Sequence, residues 1–268
     1  MNGPQLLEEH VGKLVTSAGA FIPGERAVFR GHNLHSSLKD LDSLEIYLFG
    51  ITGRRFTPQQ MKILHAMCTF TSYPDARLWN NRVAALAGST RSTGTLGIAA
   101  AVAVSEAQIY GRGVDLRAIE FLTRAKIQVD AGADLVALVR AELKQKRGIA
   151  GYGRPIIAAD ERIAPMITLA REQGLDGGPY LKLAFDVEKI LLDGRWRLRM
   201  NYAVVTAALC ADFGMSPREY FFSSLPAFLA GMPPCYLDAA DKPEGQLFPL
   251  PCRMMSYEGV ARRRWETK

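Results

Sequence analysis

Along most of the chain, apolar positions recur at intervals of three and four, the spacing that turns one face of an α-helix toward a core. Leu38, Leu41, Leu44, Ile46, Tyr47 and Phe49 form one such run, a helix predicted to end at Gly50. Thr57-Pro-Gln-Gln60 has the form of a helix start, with a hydroxyl cap at Thr57, proline in the first turn and Gln60 at the third helical position. The helix it opens runs to about Phe70. Further helices are predicted over 75–89, 95–106, 117–126, 134–146, 164–173, 179–192 and 200–213, the last stopped by Gly214. Ser216 and Glu219 repeat the capping-box pattern. The 95–106 segment has small apolar side chains on nearly every face, the pattern of a helix buried in a core. Residues 1–30 hold a short helix and then Ala27-Val-Phe-Arg30, which alternates as a short strand. The stretch from Pro233-Pro-Cys to Cys252 reads as loop-rich. The sum is an all-α protein with little strand.

One break in the helical pattern concentrates candidate chemistry. Gly151-Tyr-Gly-Arg-Pro-Ile156 is followed by Asp160-Glu-Arg162. Successive backbone groups in such a loop can grip an anion or read a nucleobase edge. It is no P-loop, lacking the terminal Gly-Lys-Ser/Thr, and no dinucleotide fingerprint, lacking a preceding strand and a third glycine. Arg154 and Arg162 carry planar guanidinium forks that match a carboxylate; the bland alternative is a surface turn with two solvated arginines.

Composition narrows the classes. The 268 residues suit one large domain, or one body with a smaller lobe, and 48% hydrophobic with 22% charged residues is the balance of an ordinary folded protein. The formal net charge is +6. Arg195, Arg197 and Arg199 contribute locally, as do Lys144, Lys146 and Arg147, and Arg262-Arg-Arg264 with Lys268. With no zinc-finger spacing and no aromatic RNA-binding motif beside it, this charge favours a small anionic ligand over nucleic acid. Cys68, Cys210, Cys235 and Cys252 form no close pair and read as buried thiols. The start MNGPQLLEEHVGK is not a basic-then-apolar leader, and no apolar run is long enough to span a bilayer, so a cytoplasmic protein without membrane contact is expected. Of the four histidines, His10 reads as solvated, and His32 and His35 lack a third ligand, so no metal is expected. His65, on an apolar helix, is either a core histidine or a pocket-wall group acting as general base or hydrogen-bond donor.

An ordered set of short motifs resembles the citrate synthase and citryl-CoA lyase family. Phe29-Arg-Gly31 and Leu48-Phe-Gly50 look like its early elements, and Leu64-His-Ala66 like the start of its His-Ala-Asp-His helix. Gln108-Ile-Tyr-Gly111 falls where the family has Pro-Leu-His-Gly, Gly151-Tyr-Gly-Arg-Pro155 resembles its glycine loop, and Asp160-Glu-Arg162 its Asp-Pro-Arg. Asn201-Tyr-Ala203 falls at its Asn-Val-Asp helix start, and Ser256-Tyr-Glu-Gly259 resembles its terminal segment. The resemblance implies a citrate synthase-like helical homodimer with a large domain of residues 1–114 and 199–268 and a small domain of 115–198. The small domain would close over coenzyme A or an acyl-CoA substrate, read by the backbone of Gly151, Tyr152 and Gly153. It further implies Arg162 as a carboxylate-binding arginine, with Cys68 in the substrate pocket and Arg253 near the place of a terminal arginine.

The departures from the family are chemical. Tyr110 and Arg154 stand where it has histidines, Met67 and Cys68 replace the aspartate and second histidine of its His-Ala-Asp-His helix, and Ala203 stands at its proton-accepting aspartate. Alanine takes no proton, so a base must come from elsewhere; Glu106, Asp160, Tyr110 and His65 are the visible options. The implied activity is a divergent enzyme that forms or cleaves a carbon–carbon bond next to a thioester or carboxylate, with Tyr110, Arg154 and His65 as catalytic candidates. The alternative is a non-catalytic relative or partner subunit that binds coenzyme A or an organic acid.

Overall fold

One short helix and a small hairpin sheet precede the main run of helices. A computed structural model describes residues 3–154, 159–194, 197–247 and 252–261. Pro155 and Ile156 of the glycine-rich stretch, Arg195, Arg262-Arg-Arg264 and Lys268 lie outside these described residues. Helix α1 (Gly3–His10) precedes three antiparallel strands in the order β1 (Gly19–Ile22), β2 (Arg26–Phe29) and β3 (His32–Asn33). Phe29 pairs with His32, and Arg30 and Gly31 between them both take positive φ, the two-residue turn whose twist suits a hairpin. The Arg30 side chain donates from Nε and Nη2 to the Gly50 carbonyl at 3.0 and 2.7 Å, tying the turn to the next helix.

That helix, α2 (Ser43–Thr52), starts later than the apolar run suggests and passes through Gly50. Asp42 sets the start. Its carboxylate accepts the Leu44 and Glu45 amides at 2.8 Å, and Glu45 accepts the Asp42 amide at 3.0 Å. Helix α3 (Pro58–Thr71) opens with the Thr57 and Gln60 capping box read from sequence.

The chain divides into two compact units. The first takes the residues up to Tyr73 with Ser105–Phe228, the second Pro74–Val104 with the residues from Leu229 onward. The 115–198 segment lies wholly in the first unit.

In the first unit, α10 (Tyr202–Asp212) is buried at Tyr202 and at every position from Val204 to Ala211, the central place of a helix that is apolar all round. It packs against α6 (Arg112–Asp130), α9 (Pro179–Asp193) and α11 (Pro217–Ser223). Asp212, at its end, accepts the Tyr180 and Leu181 amides at 2.8 and 3.0 Å, satisfying the otherwise orphaned donors at the start of α9. Helices α7 (Leu135–Lys146) and α8 (Ile163–Glu172) complete this unit's framework, and α8 packs on α3.

The second unit joins α4 (Trp79–Ser89), α5 (Gly94–Val104) and α13 (Met232–Ala240), which packs on both. A short α12 (Leu225–Leu229) precedes α13. A Cβ on Gly88 would lie 2.2 Å from the Tyr236 carbonyl oxygen, so only glycine lets α4 and α13 meet backbone to backbone. Two sequence expectations are corrected here. The stretch expected to be loop-rich from Pro233 begins as helix up to Ala240, because Pro233 and Pro234 occupy the first turn, where a missing N–H breaks no helical bond, and residues 241–247 are turn and irregular. The 95–106 segment is not a core helix in the chain as described. Only Gly97 and Ala101 of α5 are buried, and Leu96 is 69% exposed. Among the described residues no helix is long and apolar enough to cross a membrane.

Candidate active site

The glycine loop is bound into the first unit by its own backbone. Gly151 and Gly153 take φ of 89° and 88°, the left-handed region that costs glycine little. The Gly151 carbonyl accepts the Asn201 amide at 2.8 Å, the Gly153 amide donates to the Arg199 carbonyl at 2.6 Å, and the Gly153 carbonyl accepts the Asn201 side-chain amide at 2.8 Å. Tyr152 is buried and its hydroxyl donates to the Ala184 carbonyl at 2.8 Å. These groups, expected to read a nucleotide, are engaged within the chain. They fasten the loop to the start of α10, where Asn201 caps the helix through the Ala203 amide.

Beyond the loop, Asp160 is the hub of a charged cluster. Its side chain is fully buried, and Arg162 donates to both of its oxygens at 2.9 Å, from Nε and from Nη2. Asp160 also accepts the Tyr202 amide at 2.9 Å, and Arg154 Nε lies 3.9 Å away. Burial opposes the charge, but the Arg162 bonds and charge, the Tyr202 amide and Arg154 outweigh it and hold the carboxyl below its ordinary pKa. Asp160 is therefore a fixed anion, and a poor base. The Arg162 guanidinium lies 4.5 Å from the Tyr202 ring centroid and 5.4 Å from that of Tyr73. Arg154 donates to the Ala159 carbonyl and to Glu161, both at 2.9 Å, and the Tyr73 hydroxyl donates to Glu161 at 2.9 Å.

Tyr110 belongs to the same neighbourhood. Burial raises its phenol pKa, Arg162 and Arg154 oppose that rise, and Asp115 and Asp160 add to it. A raised phenol stays protonated near neutrality, so Tyr110 is a hydrogen-bond donor and not a base. The structure thus brings Tyr110, Arg154 and Arg162 together. Cys68, on α3, is half-buried; burial pushes its thiol up to about 11, and its charge couples to Tyr202 and Cys210. The Tyr202 hydroxyl is buried without a hydrogen-bond partner among the described residues.

Two candidates lie elsewhere. His65 sits on the outer face of α3, half exposed, with Nε2 3.0 Å from Asp42 Oδ2. Its neighbours Ile63, Leu64 and Met67 take the buried face, so the histidine turns to the cap of α2 and not to the Arg162 cluster. Arg253 belongs to the second unit, exposed in a short 3-10 turn, Cys252–Met254. Glu106, another candidate base, is ion-paired with buried Arg112 at 3.0 Å. No group of three or more metal-ligating side chains occurs among the described residues.

One buried acid beside this cluster that the sequence reading does not name is Asp115, in the first turn of α6. It is 8% exposed, and burial pushes its carboxyl up to about 7 against the lowering charges of Arg162 and Arg112. The available signal was its position directly after the Tyr110-Gly-Arg-Gly113 break.

No protein-family model matches the sequence, and no curated protein matches it. Solved structures do. Citryl-CoA lyase from Hydrogenobacter thermophilus matches with a TM-score of 0.82 at 20% identity, over 94% of this chain and 97% of its own. An ATP citrate lyase from Methanothrix soehngenii, solved with citrate and coenzyme A, gives 0.73 at 15% identity over 100% of this chain but only 46% of its own. Citrate synthase from Thermotoga maritima gives 0.67 at 17% identity, over 85% and 61% respectively. The all-α expectation holds, and the chain has the fold of the citrate synthases and citryl-CoA lyases.

Proposed function

We propose that the chain is a divergent enzyme of the citrate synthase and citryl-CoA lyase type, acting on an acyl-CoA thioester by forming or cleaving a carbon–carbon bond beside it. The observation that carries this reading is Arg162. Asp160 pins one edge of its guanidinium, two aromatic rings flank it, and its Nη1 makes no hydrogen bond to a described residue. That is an oriented, half-buried cation with donors to spare, suited to a substrate carboxylate. Breaking the carbon–carbon bond leaves an electron pair on a thioester enolate, and fixed donors lower the barrier by stabilising that charge. Tyr110 supplies an O–H to a carbonyl oxygen, and Arg154 adds positive potential while holding Glu161 at the loop. Residues 115–198 are proposed to close over the ligand. The exposed apolar surface of α5 supports a homodimer built on that helix.

A second reading, a non-catalytic binder of coenzyme A or an organic acid, is favoured by Ala203 at the place of the family's aspartate. Product analysis separates the two. With (3S)-citryl-CoA, or with acetyl-CoA and oxaloacetate, the enzyme reading expects cleavage or condensation products on the timescale of minutes. Binding without either product leaves the second reading standing.

A further inference from the structure

The other carboxyls considered as bases or cluster members are engaged. Asp160 is held by Arg162, Glu161 by Arg154 and Tyr73, and Glu106 by Arg112. Asp115 is not. It lies in the first turn of α6 at 8% exposure, burial and the charges of Arg162 and Arg112 act on its carboxyl with no hydrogen bond among the causes, and its oxygens are not among the sealed atoms left without a partner, so they stay open to a ligand. A folded protein seldom keeps a buried carboxyl unpartnered unless something else uses it. The charged and titratable groups within electrostatic reach of it come from several elements. Arg162 stands at the start of α8, Tyr110 in the loop before α6, and Arg112 on α6 itself. Cys210 comes from α10 and Tyr220 from α11. Tyr202, whose hydroxyl is also buried and unpartnered, shares Arg162, Cys210 and Tyr220 as neighbours. Helices α6 and α10 pack on each other, and α10 begins with the Ala203 that replaces the family's aspartate.

We propose that Asp115 is the proton carrier of this site, a carboxyl supplied by α6 in place of one on α10. The proposal rests on the thioester reading above. In cleavage, the Asp115 carboxylate takes the proton of the substrate's tertiary hydroxyl. The oxygen becomes a keto oxygen as the carbon–carbon bond breaks, and the bonding pair passes to the thioester enolate. Asp115 then returns its proton to the enolate carbon, leaving a keto acid and an acetyl thioester. Condensation is the same path reversed, and nothing else is consumed. Burial, tempered by two arginines, keeps the carboxyl near balance between its two forms at neutral pH, the condition under which one group both accepts and gives.

The test uses the full chain, its Asp115→Asn and Asp115→Glu variants, and (3S)-citryl-CoA as the probe. Cleavage is followed against pH, and coenzyme A affinity is measured by calorimetry. Asp115→Asn is expected to lose about a hundredfold or more in kcat while coenzyme A affinity stays within about threefold. Asp115→Glu is expected to keep measurable turnover with a displaced limb in its pH profile. If wild type cleaves and Asp115→Asn cleaves within about threefold of it, Asp115 is not the carrier, and the thioester reading survives. If Asp115→Asn loses affinity and cooperative unfolding together while Asp115→Glu matches wild type at every pH, the residue is structural and the proposal fails. Wild type that cleaves nothing overturns the proposal together with the enzyme reading, and coenzyme A binding in that sample shows whether the binding reading remains.

Discussion

Arg162 and Asp160 meet edge to edge, Nε to Oδ1 and Nη2 to Oδ2, both at 2.9 Å, with the carboxylate fully buried. Arg162 thus holds a buried anion, and in the proposed reading it also presents its remaining donors to a ligand. Removing its side chain leaves Asp160 with the backbone amides of Tyr202 and of residue 162 itself, and the more distant Arg154. Arg162→Ala is expected to lower unfolding stability by about 3 kcal/mol, since breaking a buried pair strands its partner. Urea denaturation reads this directly. Arg162→Ala combined with Asp160→Asn should recover part of the loss but not ligand affinity. Full recovery of affinity in the double variant would remove Arg162 from the binding site.

Asp115 makes stability depend on pH in the direction opposite to a paired carboxylate. Its folded pKa of about 7 lies above the ordinary carboxyl value, so between about pH 4 and pH 7 the folded state holds a proton that the unfolded state has released. Its contribution is fully present below about pH 4 and is lost as pH rises through about 7, at a slope of about 1.4 kcal/mol per pH unit. Asp160, Glu161 and Asp42, all held below their ordinary values, act in the opposite sense at lower pH. The difference between wild type and Asp115→Asn isolates the single group. That difference should grow in favour of the variant from pH 4 to 7; a flat difference would mean Asp115 is ionised at its ordinary pKa.

Gly151 is a steric requirement. A Cβ there would lie 2.4 Å from Val204 Cβ, on a residue whose φ is 89°. At Gly153 the nearest atom is a flexible Leu198 Cδ2 at 3.3 Å. Gly151→Ala is expected to cost about 3 kcal/mol and Gly153→Ala about 1 kcal/mol. Thermal unfolding of both, side by side, checks the order.

The exposed face of α5 carries a prediction about assembly. Leu96, 69% exposed on an otherwise small-residue helix, is available to a second copy of the chain. Light scattering should show a dimer for wild type and a monomer for Leu96→Glu. A wild-type monomer at micromolar concentration would contradict the proposed homodimer.

Local chemistry was legible in the sequence where neighbours in the chain decide it. The capping boxes at Thr57 and Ser216 are complete within four residues, and both helices start where they indicate. The Leu38–Phe49 run was misplaced because its apolar spacing fits either start, and the Asp42 and Glu45 box breaks the tie. For α5, composition cannot separate a helix wrapped by its own chain from one presenting apolar surface outward. Tyr110, Arg154 and Arg162 were legible as candidates because contiguous motifs carry them. Asp115 was missed because its burial comes from α10 and α11, far along the chain, and one aspartate in a helical pattern reads as solvated. His65 lies away from the Arg162 cluster for the converse reason, since an apolar helix has an outer face as well as an inner one.

The most direct measurement is calorimetric titration of coenzyme A, acetyl-CoA and oxaloacetate, first singly and then in combination. The expected result is coenzyme A binding that tightens in the presence of the keto acid, with the enhancement lost in Arg162→Ala under conditions where that variant is folded. No binding of any of the three, singly or together, would contradict a site for thioester and carboxylate and leave the fold without that chemistry.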